Sequence, residues 1–243
     1  MLLSDKVALV TGASRGIGRA IMEKFAEEGA IVYANARSEG ALDDVAAKSD
    51  GRIIPLYFDV CDKAAVKKAI MRIQKEQKRL DVLVNNAGIM RDAYLEMVDD
   101  ATLEETFATN VTAPIHIAQY AVRLMKRAGG GSIINMASII GQRGNAGQTA
   151  YAASKGAVIA VTKTWARELA PSGIRVNAIA PGNVDTELFH AIGEEKEKEI
   201  TSKIGMGRIG SPEEIANVAL FLASGMSSYV TGETIGANGG WTL

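Results

Sequence analysis

Seven short runs along the chain are apolar or β-branched through most of their length: residues 6–10, 30–36, 52–58, 81–85, 131–136, 174–179 and 233–237. The segments between several of them, notably 63–78, 153–169 and 212–222, instead place apolar residues three and four apart, the spacing of one face of a helix. Asp62 and Ser211 stand where N-caps belong, and Pro212 follows at the first helical position. Strands apolar on both faces that alternate with amphipathic helices predict a parallel sheet covered on both sides. Neither a composition break nor a fixed-period repeat divides the chain, so residues 1–243 are expected to form one domain. The least regular stretch, 183–210, is the expected lid over a site, and its charge run at 194–199 reads as a solvated helix face.

Composition narrows the class of chemistry. Lys and Arg number 27 against 28 Asp and Glu, a formal charge of −1, which gives no basic surface for nucleic acid. The charge-free stretch 215–232 is interrupted by Asn217, Ser224, Ser227, Ser228 and Thr231, too polar for a membrane span. The amino-terminal residues lack the basic and apolar regions of a secretory leader, which makes the cytoplasm the expected compartment. One cysteine, Cys61, and two histidines, His116 and His190, offer neither a disulfide nor a zinc-ligand set. No metal is expected. The 25 glycines against 5 prolines are the one anomaly, and their placement leads to the chemistry.

Residues 11–18, Thr-Gly-Ala-Ser-Arg-Gly-Ile-Gly, follow the first strand and open a helix. Three glycines at this spacing arise by chance about 0.2 times in such a chain, so their position between strand and helix carries the weight. Gly12 allows a sharp turn off the strand, and Gly16 and Gly18 allow backbone N–H groups to approach a pyrophosphate. Gly12, Ser14, Arg15, Gly16, Ile17 and Gly18 are therefore the candidate phosphate-side residues of a dinucleotide site. The second strand ends in Ala36-Arg37, with no carboxylate to accept ribose hydroxyls or repel a 2′-phosphate. Arg15 and Arg37 favour NADPH/NADP+ over NAD.

Tyr151 and Lys155 stand four apart and share a helix face. Ser138 ends the fifth predicted strand at the carboxyl edge, where open parallel sheets bind ligands. The glycine loop, Asn85-Asn-Ala-Gly88, Asn110, Ser138, Tyr151 with Lys155, and Pro181-Gly182 together resemble the short-chain dehydrogenase/reductase family over essentially the whole chain. Within that family, Arg15, Asn135, Gly147-Gln148 and the ending at 231–240 look most like 3-oxoacyl-carrier-protein reductases.

The resemblance implies a doubly wound Rossmann fold with a seven-stranded parallel sheet and helices on both faces. It also implies an enzyme that moves hydride between a nicotinamide cofactor and a carbonyl. A phenol with pKa about 10 is a poor proton donor near neutrality, and a neighbouring Lys155 ammonium is expected to lower it by about 3 units. Ser138 would orient the substrate oxygen as a hydrogen-bond donor, not as a nucleophile. By resemblance Asn110 holds a water that connects Lys155 to solvent, and Lys155 also binds the nicotinamide ribose. Asp59 and Val60 correspond to the adenine contact, Asn86, Ala87 and Gly88 to the wall behind the cofactor, and Pro181, Gly182, Val184 and Thr186 to the nicotinamide-side loop. A homotetramer pairing the helix at 110–125 and the helix after Tyr151 is implied as well, with the apolar end 241–243 sealing a subunit contact.

Carrier-protein reductases carry arginines near the end of the helix before the fifth strand and the end of the tyrosine helix, to dock an acidic carrier. Here those stretches read Lys126-Arg-Ala-Gly-Gly-Gly131 and Ala170-Pro-Ser-Gly173, which departs from that pattern, although Arg123, Lys126, Arg127 and Arg167 supply positive charge in the region. Three readings stay open. The first is NADPH-dependent reduction of a 3-oxoacyl thioester carried by acyl-carrier protein or CoA. The second is a short-chain dehydrogenase of another small ketone, alcohol or sugar, and the third a non-catalytic dinucleotide sensor.

Overall fold

A computed structural model describes residues 1–190 and 194–241. The strands are β1 (Val7–Val10), β2 (Ile31–Ala36), β3 (Ile53–Tyr57), β4 (Val82–Asn85), β5 (Gly131–Met136), β6 (Ile174–Pro181) and β7 (Thr234–Ala237). They form one parallel sheet in the order β3-β2-β1-β4-β5-β6-β7. Between them lie α1 (Gly16–Glu27), α2 (Asp43–Ala47), α3 (Lys63–Gln77), α4 (Asp100–Phe107), α5 (Ala113–Arg127), α6 (Ile140–Arg143), α7 (Thr149–Leu169), α8 (Glu187–His190), α9 (Glu194–Ser202) and α10 (Pro212–Ala223).

The strand period of two sorts the core into two layers. Ala8, Val10, Val32 and Ala34 point to one side and pack with Ile21, Phe25 and Ala219 of α1 and α10. Val7, Leu9 and Tyr33 point to the other, against Ile70, Ile73, Ile117 and Ala121 of α3 and α5. Each large apolar side chain buried this way contributes about 1.5–3 kcal/mol, so a one-residue slip of a central strand would exchange both cores at once. Asp62 caps α3 through Ala64 N and Ala65 N, and Ser211 closes a capping box with Glu214 on α10. Both caps stand where the sequence places them.

Three expectations change. The tyrosine helix starts at Thr149, not 153, which puts Tyr151 on its first turn. Ser138 lies two residues beyond the end of β5. Trp241 is buried in its own chain with Ile139, Ile140 and Ile204, so it is not left over for a subunit contact; Thr242 and Leu243 lie outside the described residues, as does residue 191–193 of the expected lid. No helix among the described residues is long and apolar enough to cross a membrane, and among them no group of His, Cys, Asp and Glu could hold a metal ion.

Candidate active site

Strand order reverses between β1 and β4, and the crevice beyond their carboxyl ends is where such sheets take ligands. There Gly12 adopts φ +64°, and a Cβ on it would stand 2.9 Å from Ala87 Cα. A Cβ on Gly18 would overlap the Gly12 carbonyl and the Asn86 amide. Gly18 is thus required by the packing of α1 on its own loop, a different reason from the phosphate approach expected of it. Asn86 Nδ2 donates to Thr11 O at 2.9 Å and Gly12 O at 3.0 Å. The Thr11 hydroxyl in turn accepts from Asn86 N and Ala87 N at 3.0 and 3.1 Å.

Helix α1 starts with no side-chain cap and no acidic residue in its first turn, which leaves its amino-terminal N–H groups to an anion. A dinucleotide's phosphates fit this cradle in shape and in charge. At the end of β2, Arg37 is exposed and stands where a carboxylate would disfavour a 2′-phosphate. Asp59 Oδ1 accepts from Cys61 N at 2.8 Å, so it shapes the turn after β3, and Val60 beside it is buried.

Ser138, Tyr151 and Lys155 meet where α6 crosses α7. The crossing is close because residue 141 is glycine: a Cβ there would lie 2.6 Å from the Lys155 carbonyl carbon. The Ser138 hydroxyl accepts from Ile140 N at 3.1 Å and acts on the Tyr151 phenol to lower its pKa. Lys155, only 5% exposed, donates from Nζ to Met136 O at 2.7 Å and lies 5.7 Å from the Tyr151 ring centroid. Burial brings its ammonium down to about 8.

The phenol of Tyr151 moves opposite to expectation. Burial pushes it above its ordinary value, the Ser138 hydroxyl opposes that shift, and the Asp92 carboxylate adds to it. The reason lies in the direction of Lys155: its ammonium is bonded to a strand carbonyl, not to the phenol oxygen.

Asn110 occupies a π turn, Ala108–Thr112, between α4 and α5. Its Oδ1 accepts from Ile89 N at 2.8 Å, and its Nδ2 donates to Ile89 O at 2.9 Å and Ser154 Oγ at 3.0 Å. The side chain therefore fastens the loop after β4 to α7. Behind Lys155 lies a cavity of about 10 Å³ open to the centre of a water-sized sphere, lined by Asn85, Asn110, Asn135 and Met136 among others. That is room for about one water. Asn85 Oδ1 is buried there with no protein partner.

On the nicotinamide side, Pro181 ends β6 and Gly182 N donates to Ala237 O at 3.0 Å. A Cβ on Gly182 would meet Asn238 Cβ at 2.8 Å. Val184 is buried, and Thr186 Oγ1 donates to Val184 O at 3.3 Å. Arg15 is bonded to Glu187 at 2.9 Å. His116 sits on α5, and the side chain of His190 lies outside the described residues.

Two positioning residues, Asn35 and Thr162, carry no motif that singles them out. Asn35, 2% exposed, accepts from Gly12 N at 3.4 Å and donates to Phe58 O at 2.9 Å, tying the glycine loop to β3. A buried ladder runs from Asn85 Nδ2 to Asn135 Oδ1 (2.8 Å) and from Asn135 Nδ2 to Thr162 Oγ1 (2.9 Å), joining β4, β5 and α7. The available signal is polar residues inside otherwise apolar strands, since such groups are retained when they are hydrogen-bonded.

The fold and this constellation define a nicotinamide-dependent oxidoreductase of the open parallel-sheet type. Residues 12–242 match the family model described as "Enoyl-(Acyl carrier protein) reductase". Similar proteins include the 3-oxoacyl-[acyl-carrier-protein] reductases FabG of Thermotoga maritima (44% identical, 100% of both chains), Vibrio harveyi (42%, 99% of this chain and 98% of that one) and Escherichia coli K12 (39%, 99% and 98%). A solved structure from Agrobacterium tumefaciens described as a gluconate dehydrogenase superposes with a TM-score of 0.95 at 30% identity, over 98% of this chain and 96% of that one. The chain belongs to the short-chain dehydrogenase/reductase family.

Proposed function

We propose that this enzyme reduces a 3-oxoacyl thioester, carried by acyl-carrier protein or CoA, to the 3-hydroxyacyl thioester with NADPH. The observation that carries the reading is full-length similarity at 39–44% identity to 3-oxoacyl-[acyl-carrier-protein] reductases, joined to the Ser138, Tyr151 and Lys155 arrangement. The dinucleotide would lie across Gly12, Ser14, Arg15, Gly16, Ile17 and Gly18, with Arg37, Asp59 and Val60 toward the adenosine, Asn86, Ala87 and Gly88 behind it, and Pro181, Gly182, Val184 and Thr186 toward the nicotinamide. Bound there, it supplies the hydride.

The chain's own residues handle the oxygen and its proton. Ser138 donates a hydrogen bond to the substrate carbonyl and orients it toward Tyr151, and the Tyr151 phenol gives the oxygen its proton. Lys155, still mainly ammonium at pH 7, lies close enough to stabilise the phenolate left behind once it turns from Met136 O. The water-sized cavity beside Lys155 and Asn110 supports a relay that returns the proton. Exposed Cys61 suits a reducing compartment, the cytoplasm. The assembly proposed is a homotetramer, which light scattering tests: a monomer refutes it.

Steady-state assays with NADPH decide the substrate. Acetoacetyl thioesters should turn over well above a panel of free ketones, alcohols and sugar acids. The Agrobacterium relative in structure favours the second reading, a sugar-acid or alcohol dehydrogenase, and no turnover of any thioester would eliminate the first. Parallel fluorescence titration with NADPH and NADH tests the cofactor, with tighter NADH binding as the refuting result.

A further inference from the structure

The glycine loop is held from an unexpected quarter. Arg15 Nη1 donates to Glu187 Oε2 at 2.9 Å across 172 residues of sequence. Glu187 opens α8, and Thr186 just before it packs over Gly16, with its Cγ2 3.3 Å from where a Cβ would sit. A carboxylate therefore stands over the phosphate loop on the guanidinium that the proposed function gives to the cofactor's 2′-phosphate.

The two cannot both hold the same face of Arg15 without cost. A guanidinium offers its paired N–H donors to one oxyanion at a time in the fork geometry, and a carboxylate left beside a phosphate dianion repels it. The ion pair is 77% and 78% exposed at its two side chains, so it is weakly held and readily exchanged.

We propose that Glu187 is a cofactor-selectivity residue: it competes with the 2′-phosphate of NADPH for Arg15, and so weakens NADPH binding selectively over NADH. The proposal rests on the NADPH reading above. It differs from the sequence reading, in which Arg15 and Arg37 are free to converge on the phosphate.

The test is a fluorescence titration of the full-length protein with NADPH and NADH at low ionic strength, for wild type, Glu187→Gln, Arg15→Ala and the double variant. Both side chains are on the surface, so none of these variants threatens the fold. Glu187→Gln should tighten NADPH about two- to fivefold, the range set by an exposed ion pair, with NADH changed less. The gain should shrink in 0.5 M salt and vanish when Arg15 is alanine. An unchanged NADPH-to-NADH ratio in Glu187→Gln, or a gain that persists in the double variant, overturns the proposal while leaving the cofactor reading intact. Arg15→Ala with an unchanged ratio overturns the proposal, because Arg15 then does not read the phosphate, whereas the cofactor reading itself falls only if the wild type binds NADH more tightly than NADPH.

Discussion

Replacing Lys155 with methionine should abolish turnover and yet leave the protein at least as stable near neutrality. Lys155 is 5% exposed, and burial brings its ammonium from 10.5 down to about 8. At about 1.4 kcal/mol per pKa unit, carrying the charge costs about 3 kcal/mol of folding free energy. Against this stands one charge-assisted hydrogen bond to Met136 O at 2.7 Å, of about 1.5–3 kcal/mol. Lys155→Met is thus expected to range from neutral to about 2 kcal/mol more stable at pH 7.

The pH dependence separates the two contributions. Below about 8 the folded and unfolded chains both hold the proton, and the burial cost is present in full. Between about 8 and 10.5 the unfolded chain binds more protons than the folded one, so wild-type stability rises with pH. Above that window the cost is gone. Urea titrations of both proteins at pH 7 and pH 10 should show wild type gaining about 2–3 kcal/mol relative to Lys155→Met. Groups that titrate in both proteins cancel from the difference. A difference that stays constant across the two pH values would refute the argument that burial of a charged amine governs this site.

Asp92→Asn removes a carboxylate that pushes the Tyr151 phenol up; the acid limb of the alcohol-oxidation pH profile, where phenolate is needed, should move to lower pH, and an upward shift would contradict the assignment. Gly18→Ala drives a methyl into the Gly12 carbonyl and the Asn86 amide. It should cost about 1–3 kcal/mol in thermal stability and weaken NADPH binding on the order of tenfold or more in a fluorescence titration, a magnitude set by loss of the backbone cradle. Asn135→Leu strands the Asn85 amide and frees Thr162 of its donor. The melting temperature should drop by about 2–4 °C per kcal/mol, with about 1–3 kcal/mol expected for the Asn85 amide left unpaired, since the Thr162 hydroxyl still donates to Val158 O, and Asn85→Leu added to it should restore part of the loss.

Much of the scaffold was legible because the patterns concerned are local. The strand runs were visible as β-branched segments, and the caps at Asp62 and Ser211 are decided by one side chain and the next few N–H groups. The order of the strands is not legible locally, since no periodicity in 6–10 says that β1 lies between β2 and β4; the resemblance supplies only the doubly wound class. The start of α7 was misplaced because Thr149 and Ala150 carry no capping bond: Gln148, its N-cap, makes none. Trp241 was misassigned for a related reason. Its burial depends on Ile139, Ile140 and Ile204, which come from parts of the chain about 100 and 40 residues away.

The site divides along the same line. Gly12, Ser138, Tyr151 and Lys155 are visible because the role proposed for each calls for a residue type that few others could replace. Electrical state is another matter, because it depends on direction as well as proximity. Tyr151 and Lys155 share a helix face as the four-residue spacing requires, yet the ammonium is bonded to Met136 O and the phenol is shifted up. Spacing fixes which side chains are neighbours; the carbonyl at the end of β5 decides which of them the charge serves. The proposed proton transfer therefore calls for Lys155 to exchange Met136 O for the phenol side of the site. The residues that hold β5 in place, Asn85, Asn135 and Thr162, then bear on that exchange without touching substrate.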